Sequence, residues 1–129
     1  MTDNTLCKEE RLRGEKTFSY LFEKGHTITC PPYKVFWIKV DKTDNYPVRF
    51  AVSVPKRRFK RAVKRNLLKR RTREVFRKNK HILSESITDN KQIHMIAIYN
   101  HDTALESTVL EEAMRKILGK IGGLLIVNC

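Results

Sequence analysis

The sequence predicts one α/β (α+β) sandwich, helices packed on a single sheet, in the order α-β-β-β-α-β-α. Three observations point there. Tyr33 to Val40 and Val48 to Val54 alternate side chains with the period of two that strands require. A run of bases beginning at Lys56 carries apolar residues at helical spacing. And 129 residues, 40% apolar and 9% aromatic, suffice for one core but not two.

The elements follow in chain order. Gly14 to Lys24 reads as a short helix closed by Gly25, with Phe18, Leu21 and Phe22 on one side at i, i+3 and i+4. On the strand from Tyr33, the residues Lys34, Phe36 and Ile38 share one face and Tyr33, Val35 and Trp37 the other, before a turn from Asp41 to Pro47. The next strand sets Val48, Phe50, Val52 and Val54 against Arg49, Ala51 and Ser53, and Pro55 ends it. After the basic helix the pattern loosens from Lys78 to Asn90, and Ile93 to Tyr99 is apolar enough for a buried strand. Thr108-x-x-Glu111 resembles a capping box, and Val109, Ala113, Ile117 and Leu118 extend a stripe to a stop near Gly119. Leu124 to Val127 reads as a tail, a docked strand or a partner contact. Residues 1–10 and 122–129 are set outside the single domain as tails.

Composition narrows the partner. The formal charge is +13 and the pI about 10, beyond what solubility asks, so a polyanion is implicated, nucleic acid first. No run of 18 apolar residues exists and Met1 to Arg11 lacks a signal-peptide core, which predicts a cytoplasmic protein without a membrane partner. Cys7, Cys30 and Cys129 are odd in number and widely spaced, and His26, His81, His94 and His101 are scattered. No disulfide framework, protein-held metal site or nucleophile constellation is expected.

The charge is concentrated. Residues 56–80 hold fourteen of the 27 Lys and Arg against one acid, Glu74; the other 104 residues are neutral. A docking surface concentrates charge in this way, whereas a generally basic protein spreads it. The window is not a basic tail, because Leu68, Thr72, Val75 and Phe76 fall within an arc of about 100° and need something to pack on. Asn66, Lys69, Arg70, Arg73 and Arg77 cluster on one flank of that stripe, and Lys60, Lys64, Arg71 and Lys78 on the other. Arginine grips phosphate bidentately and stacks on bases, which suits structured RNA.

The stretch from Phe50 to Phe76, FAVSVPKRRFKRAVKRNLLKRRTREVF, resembles the signature of the bacterial ribonuclease P protein family: a strand ending in Val-Ser and bases, then Ala-Val-x-Arg-Asn-Arg-x-Lys-Arg on the following helix. Arg11-Leu-Arg, with Phe18, Phe22 and Gly25 behind it, is similar to the family's opening, and the likeness spans roughly residues 9 to 121. Arg65 and Asn66 match the first two positions of the Arg-Asn-Arg motif, and Lys69, Arg70 and Arg73 its later basic positions. Leu67 departs from the third, so that arginine's contact is absent or supplied by a neighbour such as Arg71. The loop before Ala62 is one residue longer than the usual form, with Phe59 and Lys60 where a glycine is common. Tyr99 stands where the family often has arginine, which suggests stacking.

The resemblance implies a non-catalytic protein subunit of an endoribonuclease whose RNA performs the chemistry with its own Mg2+. The partners it implies are ribonuclease P RNA and precursor tRNA, from which the 5′ leader is removed. It places Lys56, Arg57, Arg58, Lys60, Arg61, Arg65, Asn66, Lys69, Arg70 and Arg73 on the catalytic RNA. Phe18, Phe22, Lys34, Phe36, Ser53 and Asn66 would form a cleft for the leader, roomy if Ala51 and Ser53 lie beside Phe36 and Lys34. The implied fold is like domain 2 of ribosomal protein S5, with a left-handed β-α-β crossover around the basic helix. A ribosomal protein or RNA chaperone using the same helix is the alternative.

Overall fold

The computed structural model describes residues 12, 14–42, 46–87 and 90–127, with side chains as far as Leu125. Expectations that fall on residues 1–11, 13, 43–45 and 128–129, including the N-terminal tail, Arg11, Cys7 and Cys129, lie outside the described residues.

Helix α1 (Glu15–Lys24) opens after Gly14, whose φ of 99° is a conformation that favours glycine. Gly25 closes it as expected, for a different reason: its φ is −75°, but an added Cβ would meet the Leu21 carbonyl oxygen at 2.4 Å and that of Trp37 at 3.0 Å. Close approach of helix and sheet demands the glycine.

Strands β1 (His26–Cys30), β2 (Tyr33–Asp41), β3 (Val48–Ser53) and β4 (Lys91–Tyr99) form one sheet in the order β1-β2-β4-β3. β1 and β4 each run antiparallel to β2, whereas β3 runs parallel to β4. The predicted element order holds, with a four-residue helix, α3 (His81–Ser84), added after α2 (Ala62–Asn79). β1, which no alternation identified, is an edge strand of mostly polar, exposed residues.

Tyr33, Val35, Trp37, Phe50, Met95, Ala97 and Tyr99 point to one face, where they are buried against α2 and α4 (Ser107–Val127). The stripe predicted for α2 is the one buried, Leu68, Thr72, Val75 and Phe76, joined by Asn79. Phe76 lies flat on Phe50, with centroids 4.1 Å apart and planes 3° from parallel. The Thr72 hydroxyl is 2.7 Å from that of Tyr33, which satisfies two buried polar groups together. Burial pushes the Tyr33 phenol well above its ordinary pKa.

α4 corrects two expectations. It starts at Ser107, so Thr108 lies in its first turn, and Glu111 turns away from the helix start to accept from Asn79 Nδ2 (3.1 Å) and pair with Arg115 (3.5 Å). It also runs through Gly119, Gly122 and Gly123 to Val127, so the stretch from Gly122 read as a tail is helical. Ile117, Leu118, Ile121 and Leu125 continue one buried stripe, and that packing outweighs the roughly 1 kcal/mol cost of each helical glycine. Gly122 has a purpose: its Cβ position is 3.1 Å from Ser86 Oγ. At Gly119 an added Cβ meets nothing within 4 Å. Gly119→Ala is therefore expected to raise stability by about 0.5–1 kcal/mol in urea unfolding, and a loss would show that the helix is strained there.

Candidate nucleic-acid interface

Between β3 and α2 the chain makes a compact turn, the amides of Arg58 and Phe59 both reaching the Pro55 carbonyl (3.2 and 3.3 Å). Phe59, the apolar residue in the lengthened loop, turns inward: it is buried, 5.8 Å from the ring of Tyr99. Two arginines are used inside the fold. Arg65 Nη1 donates to the carbonyls of Phe59 and Lys60, each at 2.8 Å. Arg58 donates to Asn100 Oδ1 (2.6 Å) and pairs with Asp102, tying the turn to the β4–α4 connection.

The basic residues of this region thus have different occupations. Lys56, Arg57, Lys60, Arg61, Lys64, Asn66 and Arg70 are exposed; Arg65, Lys69 and Arg73 are half-buried. Arg71 donates to the Leu105 carbonyl at 2.8 Å, which fastens α2 to the chain entering α4. Arg77 pairs with Glu74, whose carboxyl is held below its usual range by that guanidinium. The exposed cations run in an arc from the turn onto the two flanks of α2 that the buried stripe leaves open, with the exposed Val63 between them. Lys60, Arg61 and Lys64 line an open groove of about 350 Å³ together with Arg58, Phe59, Asp102, Thr103 and Ala104. The sequence pointed to the helix but not to residues 102–104.

The other face of the sheet carries a smaller cluster. Leu12, Leu21 and Ile96 are buried there, with Phe18, Phe36, Ile38, Ala51 and Ile98 partly buried around them. Phe22, 46% exposed, meets Phe36 edge to face at 5.0 Å, and Lys34 Nζ lies 5.5 Å from the Phe36 centroid. Phe18, Phe22, Lys34 and Phe36 are therefore on one side of the sheet, as predicted. Ala51 and Ser53 are on that side but not adjacent to them, because β4 lies between β2 and β3. The rows run Phe36–Ile96–Ala51 and Lys34–Ile98–Ser53. The surface is a shallow apolar floor rimmed by Lys34 and Ser53. Asn66 is on α2, whose buried stripe meets the Phe50 face, so it is grouped with the basic arc and not with Phe22 and Phe36.

Tyr99 does not stack at the surface. Its side chain is buried, its hydroxyl donates to the Thr103 carbonyl (2.6 Å) and accepts from the Leu105 amide (3.1 Å), and it shapes the β4–α4 connection. Among the described residues no three His, Cys, Asp or Glu stand together to hold a metal, and no helix is long and apolar enough to cross a membrane.

Comparison with known proteins agrees with this arrangement. A family model described as Ribonuclease P matches residues 6–122. The ribonuclease P protein component of Porphyromonas gingivalis ATCC 33277 is 34% identical over 119 residues, spanning 92% of this chain and 87% of the relative. That of Petrotoga mobilis is 41% identical over 80 residues, 62% of this chain and 64% of the relative. The solved RNase P protein from Thermotoga maritima has a TM-score of 0.68 at 23% identity, covering 86% of this chain and 96% of its own. The Staphylococcus aureus RNase P protein has a TM-score of 0.63 at 23% identity, with coverage of 84% and 92%. The structures speak for the fold and the sequence matches for the family: this chain belongs to the ribonuclease P protein component family, the protein subunit of an enzyme whose RNA is catalytic.

Proposed function

We propose that the exposed arc from Lys56 to Arg70 docks on ribonuclease P RNA while the Phe22–Phe36–Lys34 surface receives the single-stranded 5′ leader of precursor tRNA. The observation that carries the first part is the division of α2 into a buried stripe and an exposed cationic side, which presents charge on a rigid element. For the second, an aromatic pair, Phe22 exposed and Phe36 half-buried, beside a lysine offers stacking and a phosphate partner without base-specific hydrogen bonds. Leaders differ in sequence, so tolerance is what such a site needs. Lys56, Arg57, Lys60, Arg61, Asn66, Lys69, Arg70 and Arg73 would meet the catalytic RNA, and Phe18 and Ser53 would flank the leader. Mg2+ belongs to the RNA in this scheme, and the holoenzyme works in the cytoplasm. β3 and β4 are parallel neighbours joined through α2, which supports a β-α-β crossover like that of ribosomal protein S5 domain 2; left-handedness is part of the proposal.

Reconstitution tests the reading. Protein alone should cleave no precursor tRNA, and adding it to a bacterial ribonuclease P RNA should restore cleavage at low Mg2+; cleavage by protein alone, or no effect on the RNA, would reject it. Phe36→Ala addresses the leader surface separately. Losing a stacking platform removes about 1–3 kcal/mol per base. Precursor affinity of the holoenzyme should fall by about 5–150-fold, with mature tRNA affinity unchanged. An equal loss for both ligands would remove the leader from this face.

A further inference from the structure

Arg65 matches a motif position at which the family resemblance placed an RNA contact, yet its geometry is that of an internal clamp. It stands on the same side of α2 as Leu68 and Thr72, three and seven residues on, which is the buried stripe and not the flank of Asn66, Arg70 and Arg73. One guanidinium nitrogen, Nη1, reaches two consecutive carbonyls, those of Phe59 and Lys60. Those carbonyls belong to the turn that carries Lys60 and Arg61 to the groove rim. The turn has three other fixings: the Arg58 and Phe59 amides on the Pro55 carbonyl, Phe59 packed near Tyr99, and Arg58 held by Asn100 and Asp102. None of these engages the Phe59 or Lys60 carbonyl. A charge-assisted bond to each carbonyl holds the two successive peptides on either side of Lys60, and with them the direction in which Lys60 leaves the backbone.

We propose that Arg65 is a positioning residue. It holds the Phe59–Lys60 turn so that Lys60, Arg61 and Lys64 surround one groove for a phosphodiester of the RNA, and it does not grip a phosphate itself. The lining carries four bases against one acid, Asp102, which is itself paired with Arg58, so the free charge facing the groove suits an anionic backbone. Preorganisation is the gain, because long cationic side chains on an unfixed loop lose much of their attraction to ordering entropy. This inference rests on the reading that α2 docks on RNA.

The test uses the full chain and a bacterial ribonuclease P RNA transcript, with affinity measured across a KCl series. Arg65→Met keeps the stem and removes the guanidinium. Lys60→Ala should lower the salt slope by about one, as expected for a phosphate contact. Arg65→Met should cost about tenfold in affinity, and the double variant no more than about twofold beyond it, since a released turn has already lost the Lys60 contact. In the free protein, Arg65→Met should speed hydrogen exchange at the Arg58 and Phe59 amides while β4 protection stays unchanged, which separates a loosened turn from a lost fold. Multiplying losses, with the slope falling by about two in the double variant, would overturn the proposal, as would unchanged exchange at Arg58 and Phe59. If the wild-type chain fails to bind the transcript, the docking reading fails, and the exchange measurement still decides whether Arg65 clamps the turn.

Discussion

Replacing Lys60, Arg61, Lys64 and Arg70 together with alanine is expected to lower affinity for ribonuclease P RNA by about a thousandfold near physiological salt, on roughly 1 kcal/mol per phosphate contact. All four side chains are exposed, so thermal unfolding should change little. The slope of log affinity against log salt should flatten by about three to four, since each neutralised phosphate releases close to one counterion. A filter-binding series at four or five KCl concentrations reads both quantities. An unchanged slope would show that these residues face solvent in the complex, and RNA docking would have to be sought on another surface. Arg71 and Arg77 make an internal control: their guanidinium groups hold Leu105 and Glu74, and removing either should cost less affinity than any of the four.

The second large effect is expected in stability. Phe76→Ala removes a fully buried ring stacked on Phe50 and leaves a cavity where α2 meets the sheet. Large-to-small changes of this type cost about 3–5 kcal/mol, a large part of the 5–15 kcal/mol that holds an ordinary domain. Urea unfolding should show the midpoint falling steeply at unchanged m-value. RNA that favours the folded chain should raise the stability of wild type and variant alike by mass action. A loss below about 1 kcal/mol would mean that the neighbours collapse into the space.

The two predictions concern opposite sides of one helix, and the sequence distinguished those sides. Leu68, Thr72, Val75 and Phe76 were legible as a stripe because a helix repeats every 3.6 residues and apolar side chains must leave water. The outward bases followed by subtraction. The same periodic reading failed in α4, where Gly119 looked like a stop. Glycine weakens a helix by about 1 kcal/mol, and seven buried side chains from Leu110 to Leu125 outweigh that. β1 escaped notice because an edge strand needs little apolar surface, so His26–Cys30 carries no strong alternation.

Within the candidate site the contacts that the sequence did not show share one cause. Arg58 and Arg65 were placed by the resemblance, and Tyr99 and Arg71 by their departures from it; each has a partner within the fold far enough away in sequence, or turned so by the loop, that spacing could not show it. Phe59 held a signal: an apolar residue inside a basic window implies that the loop folds inward, and once it does, a nearby arginine finds its carbonyls. Ser53 and Ala51 lie on the expected side of the sheet and in the rows of Lys34 and Phe36, but one strand further away, because strand order is a long-range property that alternation does not encode.

By itself, then, the sequence determined the fold class, the sidedness of β2, β3 and α2, the concentration of charge between Lys56 and Lys80, and the family through its motif. Those properties are local or additive: periodicity, composition and short spacing. Tertiary structure decided which bases are bonded within the fold, that β4 separates Phe36 from Ala51, and that residues 102–104 line the same groove as Lys60, Arg61 and Lys64. The physical reason is that a guanidinium's occupation depends on which carbonyls and carboxylates come within hydrogen-bond range, and only the folded chain sets those distances.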